Sequence, residues 1–174
     1  MKTIRTETTA DHEVVRQVNV EAFDKREYEA KLVEGIRQSD SFIDSLSLVA
    51  ESAQGIIGHA LFSKASIVVG DTNHEVIVLA PIAVLPAFQK QGVGKKLIEE
   101  GLTRSRQLGF PGVLLIGHPE YYPRFGFRPA STFGLVLKQI EVPDDVFMAV
   151  ELTDGALHAL QGGELRYPAA FFDN

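Results

Sequence analysis

Val76-Ile-Val-Leu-Ala-Pro-Ile-Ala-Val-Leu85 runs through Pro86 into Gln89-Lys-Gln-Gly-Val-Gly94, and a helical pattern opens at Lys95. The apolar run reads as a central strand covered on both faces. A strand that turns through two glycines into a helix leaves several backbone N–H groups without intrahelical partners. With the positive end of the helix dipole, those groups make a site for a phosphate or pyrophosphate. Gly92 and Gly94 remove the Cβ atoms that would hold an anion away from the backbone. Lys90, Lys95 and Lys96 cluster around the same turn. Pro81 is out of place, because proline cannot donate to a sheet ladder. The reconciliation is a β-bulge at Ala80-Pro81, where the strand parts from a neighbour.

Upstream, Thr3 to Glu7 reads as a short first strand. Thr8 or Thr9 then caps a helix in which Val14, Val15, Val18 and Ala22 recur at helical spacing. A second helical pattern places Tyr28, Leu32, Val33 and Ile36 on one face and ends near Ser39-Asp40. Ser45 to Glu51 is a strand, Ser52-Ala-Gln-Gly55 a hairpin turn, and Ile56 to Val69 a longer strand with a bulge at Gly58. Asp71-Thr-Asn73 turns the chain into the 76–85 strand. Downstream, Val93, Leu97, Ile98, Leu102 and Ser105 line one face of a helix that ends before Gly109. Gly112 to Gly117 reads as a buried strand, parallel to 76–85 through a right-handed crossover. His118-Pro119 opens a loop and short helix through Tyr121 and Tyr122, ending at Phe125-Gly-Phe127. Leu135 to Lys138 and Phe147 to Leu152 supply the last strands, and the tail beyond Gly155 is short and loop-rich. No repeat, linker or low-complexity segment breaks this order, which predicts one α/β domain over residues 1–174 with a mixed sheet.

The 174 residues suffice for one domain with a full core, and the 45% hydrophobic and 23% charged content is that of a soluble globular protein. Without cysteine there is no disulfide framework, thiolate metal site or cysteine nucleophile. His12, His59, His74 and His158 show no ligand spacing, so no metal is expected. A net charge of −6 argues against a general affinity for nucleic acid. Met1-Lys-Thr-Ile-Arg-Thr-Glu7 has no apolar core of signal-peptide length, and no apolar run reaches the roughly 18 residues of a membrane span. A cytoplasmic protein without a membrane partner is the expectation.

Three ligands compete for the glycine turn. A Walker phosphate loop needs a Lys-Ser/Thr pair, which Lys95-Lys96 does not supply. A dinucleotide fingerprint needs a third glycine and an acidic residue ending the next strand, which here ends in Gly117-His118-Pro119. The third candidate is the pyrophosphate arm of coenzyme A.

Gln89-x-x-Gly92-x-Gly94 after an apolar strand resembles the Gln/Arg-x-x-Gly-x-Gly/Ala signature of the GNAT superfamily of N-acetyltransferases. A helix, a buried strand and Tyr122-Pro-Arg-Phe-Gly126-Phe127 follow in the order of that family, the last like its Tyr-x-x-x-Gly-Phe segment. Leu-Ala-Pro-Ile-Ala-Val and Gly-His-Pro-Glu-Tyr-Tyr-Pro-Arg-Phe-Gly-Phe, with a tail holding Val142-Pro-Asp-Asp-Val-Phe-Met148 and Tyr167-Pro-Ala-Ala-Phe171, are most like a bacterial branch called YhbS-like acetyltransferases. The resemblance implies a GNAT fold of the α/β (α+β) type, with a mixed central sheet of about seven strands and about four helices. In that fold the fourth strand is bulged and splays from the fifth, and the V-shaped gap admits a pantetheine arm.

The same resemblance implies a function and its residues. Acetyl-CoA would donate an acetyl group to a primary amine of a small molecule or peptide, by direct attack in a ternary complex. Backbone groups of Ile82, Ala83 and Val84 would pair with the pantetheine amides like an added strand. Amides from Gln89, Lys90, Gln91, Gly92, Val93, Gly94 and Lys95 would hold the pyrophosphate. Tyr122 falls where many relatives keep the acid that protonates the leaving thiolate, and the N–H of Val84 would stabilise the oxyanion. Some relatives carry a glutamate base eleven residues before the motif glutamine, but that position here is Val78. Glu75 at the strand's start, Glu21 on the first helix, and His118 at the fifth strand's mouth are the remaining bases, the last two acting through water. Phe23, Tyr28, Phe42, Phe133 and Phe147 are candidate linings for the acceptor, and Arg124 a candidate partner for an anion. The alternatives are a non-catalytic acyl-CoA-binding module, or transfer to a protein N-terminus or lysine. A monomer or homodimer is expected.

Overall fold

Arg5, on β1 (Thr3–Thr6), ties the start of the chain together. Its Nη1 and Nη2 donate to Asp11 at 2.7 and 3.1 Å, and its Nε donates to Glu51 at 3.1 Å. Asp11 also accepts from the backbone N–H of Thr8 at 2.7 Å, closing a 3₁₀ turn (Thr9–Asp11) that leads into α1 (His12–Ala22). The Arg5 hydrogen bonds outweigh the cost of burial and hold the Asp11 carboxyl well below the usual carboxylate range. Val15 and Val18 form the buried face of α1, which packs on Ala30, Leu32, Val33 and Ile36 of α2 (Tyr28–Arg37). Val14 and Tyr28, expected on those faces, are exposed instead. Val14 lies about 100° around the helix from Val15, and Tyr28 occupies the first turn of α2.

The structure, a computed structural model, describes residues 2–172. Nine strands among them form an open mixed sheet, with three α-helices and several short 3₁₀ turns. The two strands beyond the expected seven are two-residue β6 (Arg128–Pro129) and β9 (Glu164–Arg166), while β7 (Val136–Leu137) lies within the strand expected at 135–138. Two-residue strands carry no alternation, and the tail beyond Gly155 was expected to be loop. The segment expected as a fourth helix is a 3₁₀ turn, Tyr122–Phe125, in which Pro123 removes a donor that an α-helix would use.

The described chain separates into two compact units. One takes in residues 2–63, 79–104 and 169–172, the other 64–78 and 105–168. β3 (Gly55–Val69) and β4 (Thr72–Val84) contribute residues to both.

In the first unit, β1 pairs antiparallel with β2 (Ser47–Ser52), and β2 with β3. Ala53 and Gln54 form the hairpin turn, entered on the far side by Gly55 at φ +100°. The register slips between Ala50↔Gly58 and Glu51↔Ile56, so the bulge lies beside Gly58, at Ile57. Gly58 and Gly101 let α3 (Val93–Gln107) approach β3. A Cβ at Gly58 would stand 3.0 Å from Val93 Cγ1, and one at Gly101 would fall 2.0 Å from the Phe62 ring. Val93, Leu97, Ile98 and Leu102 are buried, as the helical spacing predicts.

In the second unit, β4 pairs parallel with β5 (Gly112–Ile116) at Ile77↔Val113 and Val78↔Leu114. β5 pairs antiparallel with β8 (Phe147–Glu151), which also takes β6. The outer half of β3 pairs with β9, and β9 runs parallel to β7. β4 starts at Thr72, so its turn is Gly70-Asp71, with Gly70 at φ +58°, rather than 71–73. Pro81 lies inside β4 after a cis Ala80–Pro81 peptide. The β5 register ends at Val78, and β4 runs on from Leu79 to Val84 without a register partner there. That is where the strand was expected to part from its neighbour. No helix among the described residues is long and apolar enough to cross a membrane.

Candidate active site

The glycine turn is built by β4, a 3₁₀ turn at Pro86–Phe88, and the start of α3. Leu85 donates its N–H to Ile57 at 2.9 Å, fixing the strand end, and Phe88 and Gln89 bond back to Leu85 and Pro86. The next backbone donor with a partner is Lys96, which bonds to Gly92 at 3.1 Å and opens the helix. Between them the N–H groups of Lys90, Gln91, Gly92, Val93, Gly94 and Lys95 have no hydrogen-bond partner among the described residues. Lys90 and Gly92 take positive φ, +63° and +83°. A Cβ at Gly92 would meet nothing within 4 Å, so the site is open and the glycine serves the backbone angle.

Side chains brace this loop. Gln89 Nε2 donates to the carbonyl of Val84 at 3.1 Å, tying the signature glutamine to the end of β4. Gln91 donates to Ala87 at 3.2 Å and accepts from Lys2 Nζ at 3.0 Å. Lys90 and Lys95 are exposed, leaving two ammonium groups beside the unpaired amides. Ile82, Ala83 and Val84 form the last three residues of β4, with Ala83 buried and its neighbours half-buried. An anion with two phosphate groups suits six free donors, a helix start and adjacent cations.

Tyr122 and His118 belong to the second unit. The carbonyl of His118 accepts from Tyr121 at 3.2 Å and Tyr122 at 3.4 Å, while its imidazole is exposed and has no partner among the described residues. Tyr122 is 8% exposed, its ring edge-on to Tyr121 and Phe127 at 5.1 and 5.7 Å. A Cβ at Gly117 would lie 2.4 Å from Tyr122 Cε2, so the ring rests on the glycine. Burial, with a smaller contribution from Tyr121, pushes the phenol up to about 12. Among the described residues its hydroxyl makes no hydrogen bond, and it is not among the enclosed unpaired atoms. It is a protonated donor with its bonding capacity unused.

Other expected groups are otherwise engaged. Val78 is fully buried in the ladder beside Leu114. Glu75 is exposed, 3.9 Å from Lys64, and Glu21 pairs with Lys25 at 3.0 Å. Arg124 stacks over Tyr121 at 4.5 Å and donates to its carbonyl at 2.8 Å. Phe133 and Phe147 are buried, Phe23 and Phe42 half-buried. The bracing by Gln89 and the Gly117 seat under Tyr122 escaped the sequence reading; a glycine just ahead of a paired tyrosine was the signal. No group of three or more acidic, histidine or cysteine residues among those described is arranged to hold a metal ion.

Comparison with known proteins gives a consistent result. Residues 44–129 match the family described as the acetyltransferase (GNAT) domain. The chain is 37% identical over 123 residues to the uncharacterized N-acetyltransferase YjhQ of Escherichia coli strain K12, covering 70% of this chain and 67% of that protein. It is 33% identical over 135 residues to the uncharacterized N-acetyltransferase YhbS of the same strain, covering 77% and 78%. The crystal structure of Escherichia coli YhbS in complex with CoA superposes with a TM-score of 0.87 at 29% identity, over 98% of this chain and 92% of the other. A GNAT family acetyltransferase from Brucella melitensis in complex with acetyl-CoA gives 0.77 at 32% identity, over 98% of both chains.

Proposed function

The chain belongs to the GNAT family of acetyltransferases, and from that premise we propose that it transfers an acetyl group from acetyl-CoA to a primary amine of a small molecule or peptide. The observation that carries the cosubstrate assignment is the run of six unpartnered N–H groups at residues 90–95. Those amides, with Gln89 bracing the loop, would hold the pyrophosphate, and Ile82, Ala83 and Val84 would pair with the pantetheine arm. Two solved relatives, one in complex with CoA and one with acetyl-CoA, support this reading.

In the transfer, a neutral amine attacks the thioester carbonyl, and the carbon–sulfur bond breaks as the tetrahedral centre collapses. The Val84 N–H would stabilise the oxyanion. Tyr122 would give its phenolic proton to the departing thiolate; a phenol near 12 stays protonated at neutral pH and can return to that state. His118, exposed, would take the amine proton through water. Residues 1–174 would act as one cytoplasmic domain.

A non-catalytic acyl-CoA-binding module is the second reading, favoured by buried Val78 where some relatives keep a carboxylate. Two measurements separate the readings. Acetyl-CoA at about 100 times its dissociation constant stabilises the fold by about 2.7 kcal/mol, whereas free nucleotides do less. Tyr122→Phe lowers kcat by about 10²-fold or more while acetyl-CoA still binds. Binding without turnover of any amine by the wild type would favour the module, and undiminished turnover in Tyr122→Phe would remove the acid role.

A further inference from the structure

A cavity of about 380 Å³ is lined by residues of α1 and α2, among them Ala30, Val33, Glu13, Arg16, Glu34 and Arg37. Its charged groups are held in different ways. Arg16 is paired with Glu27, and Arg37 Nη2 donates to Glu7 Oε2 at 2.7 Å. Glu13 and Glu34 form no ion pair among the described residues.

Behind Arg37 lies a buried row of hydrogen bonds. The Asn19 amide donates to His59 Nδ1 at 3.2 Å and to the Val15 carbonyl at 3.0 Å. His59 is fully buried, and burial pushes its imidazole down to about 3, so the ring is neutral at pH 7. Its remaining proton sits on Nε2, 3.1 Å from Ser47 Oγ, and Ser47 donates to Glu7 Oε1 at 2.7 Å. From Asn19 through His59 and Ser47 the donors run to the Glu7 carboxylate, whose side chain is only 2% exposed. Glu7 therefore clamps Arg37 by one nitrogen. Among the described residues, Arg37 Nε is buried without a partner and Nη1 makes no hydrogen bond. An arginine oriented from behind loses little freedom when it binds an oxyanion in front.

We propose that this cavity binds a small zwitterion, a molecule with a carboxylate and an ammonium group on a short aliphatic stem. The carboxylate lies on Arg37, the ammonium between Glu13 and Glu34, and the stem over Ala30 and Val33. Either charge alone leaves part of the wall uncompensated.

Titration of the isotope-labelled protein with 4-aminobutyrate, butyrate or butylamine, followed by amide NMR shifts, tests this without any acetyl donor present. 4-Aminobutyrate shifts amides of α1 and α2 and binds about tenfold tighter than either half-molecule, and Glu34→Gln weakens it by about tenfold. Glu34 is exposed, so the variant keeps its fold. Equal affinity for the three probes, shifts outside these helices, no shifts, or an unaffected Glu34→Gln would overturn the proposal.

Discussion

A tyrosine that donates a proton must be held still and kept protonated, and Tyr122 meets both demands through its surroundings. Its ring is fixed by Gly117, Phe127 and Tyr121, and burial raises the phenol to about 12. Gly117 takes no positive φ, so alanine suits the backbone there; the added Cβ meets the Tyr122 ring at 2.4 Å. Gly117→Ala is thus expected to displace the ring. Steady-state kinetics should show kcat reduced by about 10²-fold, with acetyl-CoA affinity within about twofold of wild type. A kinetically silent Gly117→Ala would detach Tyr122 from the chemistry.

At the scale of elements, the decisive unit is β4, the loop and the start of α3. Gly92→Ala places a Cβ in open space but forces it to φ +83°, at a cost of roughly 1–2 kcal/mol. The loop would relax away from that angle and scatter its amides, so calorimetry should show acetyl-CoA binding weakened about tenfold while α3 stays folded. Unchanged affinity would mean the loop amides do not hold the ligand. This element was readable in the sequence because its parts are local: an apolar run, two glycines and a helical stripe. The bulge beside Gly58 and the buried face of α3 were legible for the same reason. What escaped depends on residues distant in the chain. The close fit of Gly101 on Phe62, the pairing of β9 with β3, and the burial of His59 between Asn19 and Ser47 are set by the tertiary neighbours. Val14 shows the limit of periodicity, since a valine at helical spacing can still face solvent.

Across the whole molecule, the buried row ending at Glu7 makes stability depend on pH. In the unfolded chain His59 takes up a proton near 6.5, but in the folded protein only near 3. Between those values the unfolded state binds more protons, so stability falls as pH falls, by up to about 1.4 kcal/mol per pH unit from this residue. Above 6.5 the contribution is flat. β3 and β4 supply residues to both compact units, so we expect a single unfolding transition throughout. Denaturant unfolding of wild type and His59→Gln between pH 7 and pH 5 checks this: the variant should lose about 2 kcal/mol less. Equal losses would remove His59 from the account.

The most direct test of the central claim compares acetyl-CoA with S-acetylpantetheine by isothermal titration calorimetry. Both carry the thioester and the pantetheine amides, but only acetyl-CoA carries the pyrophosphate. If the six unpartnered amides of residues 90–95 hold that group, acetyl-CoA should bind at least about 100-fold tighter. Equal affinities, or no binding of acetyl-CoA, would contradict it.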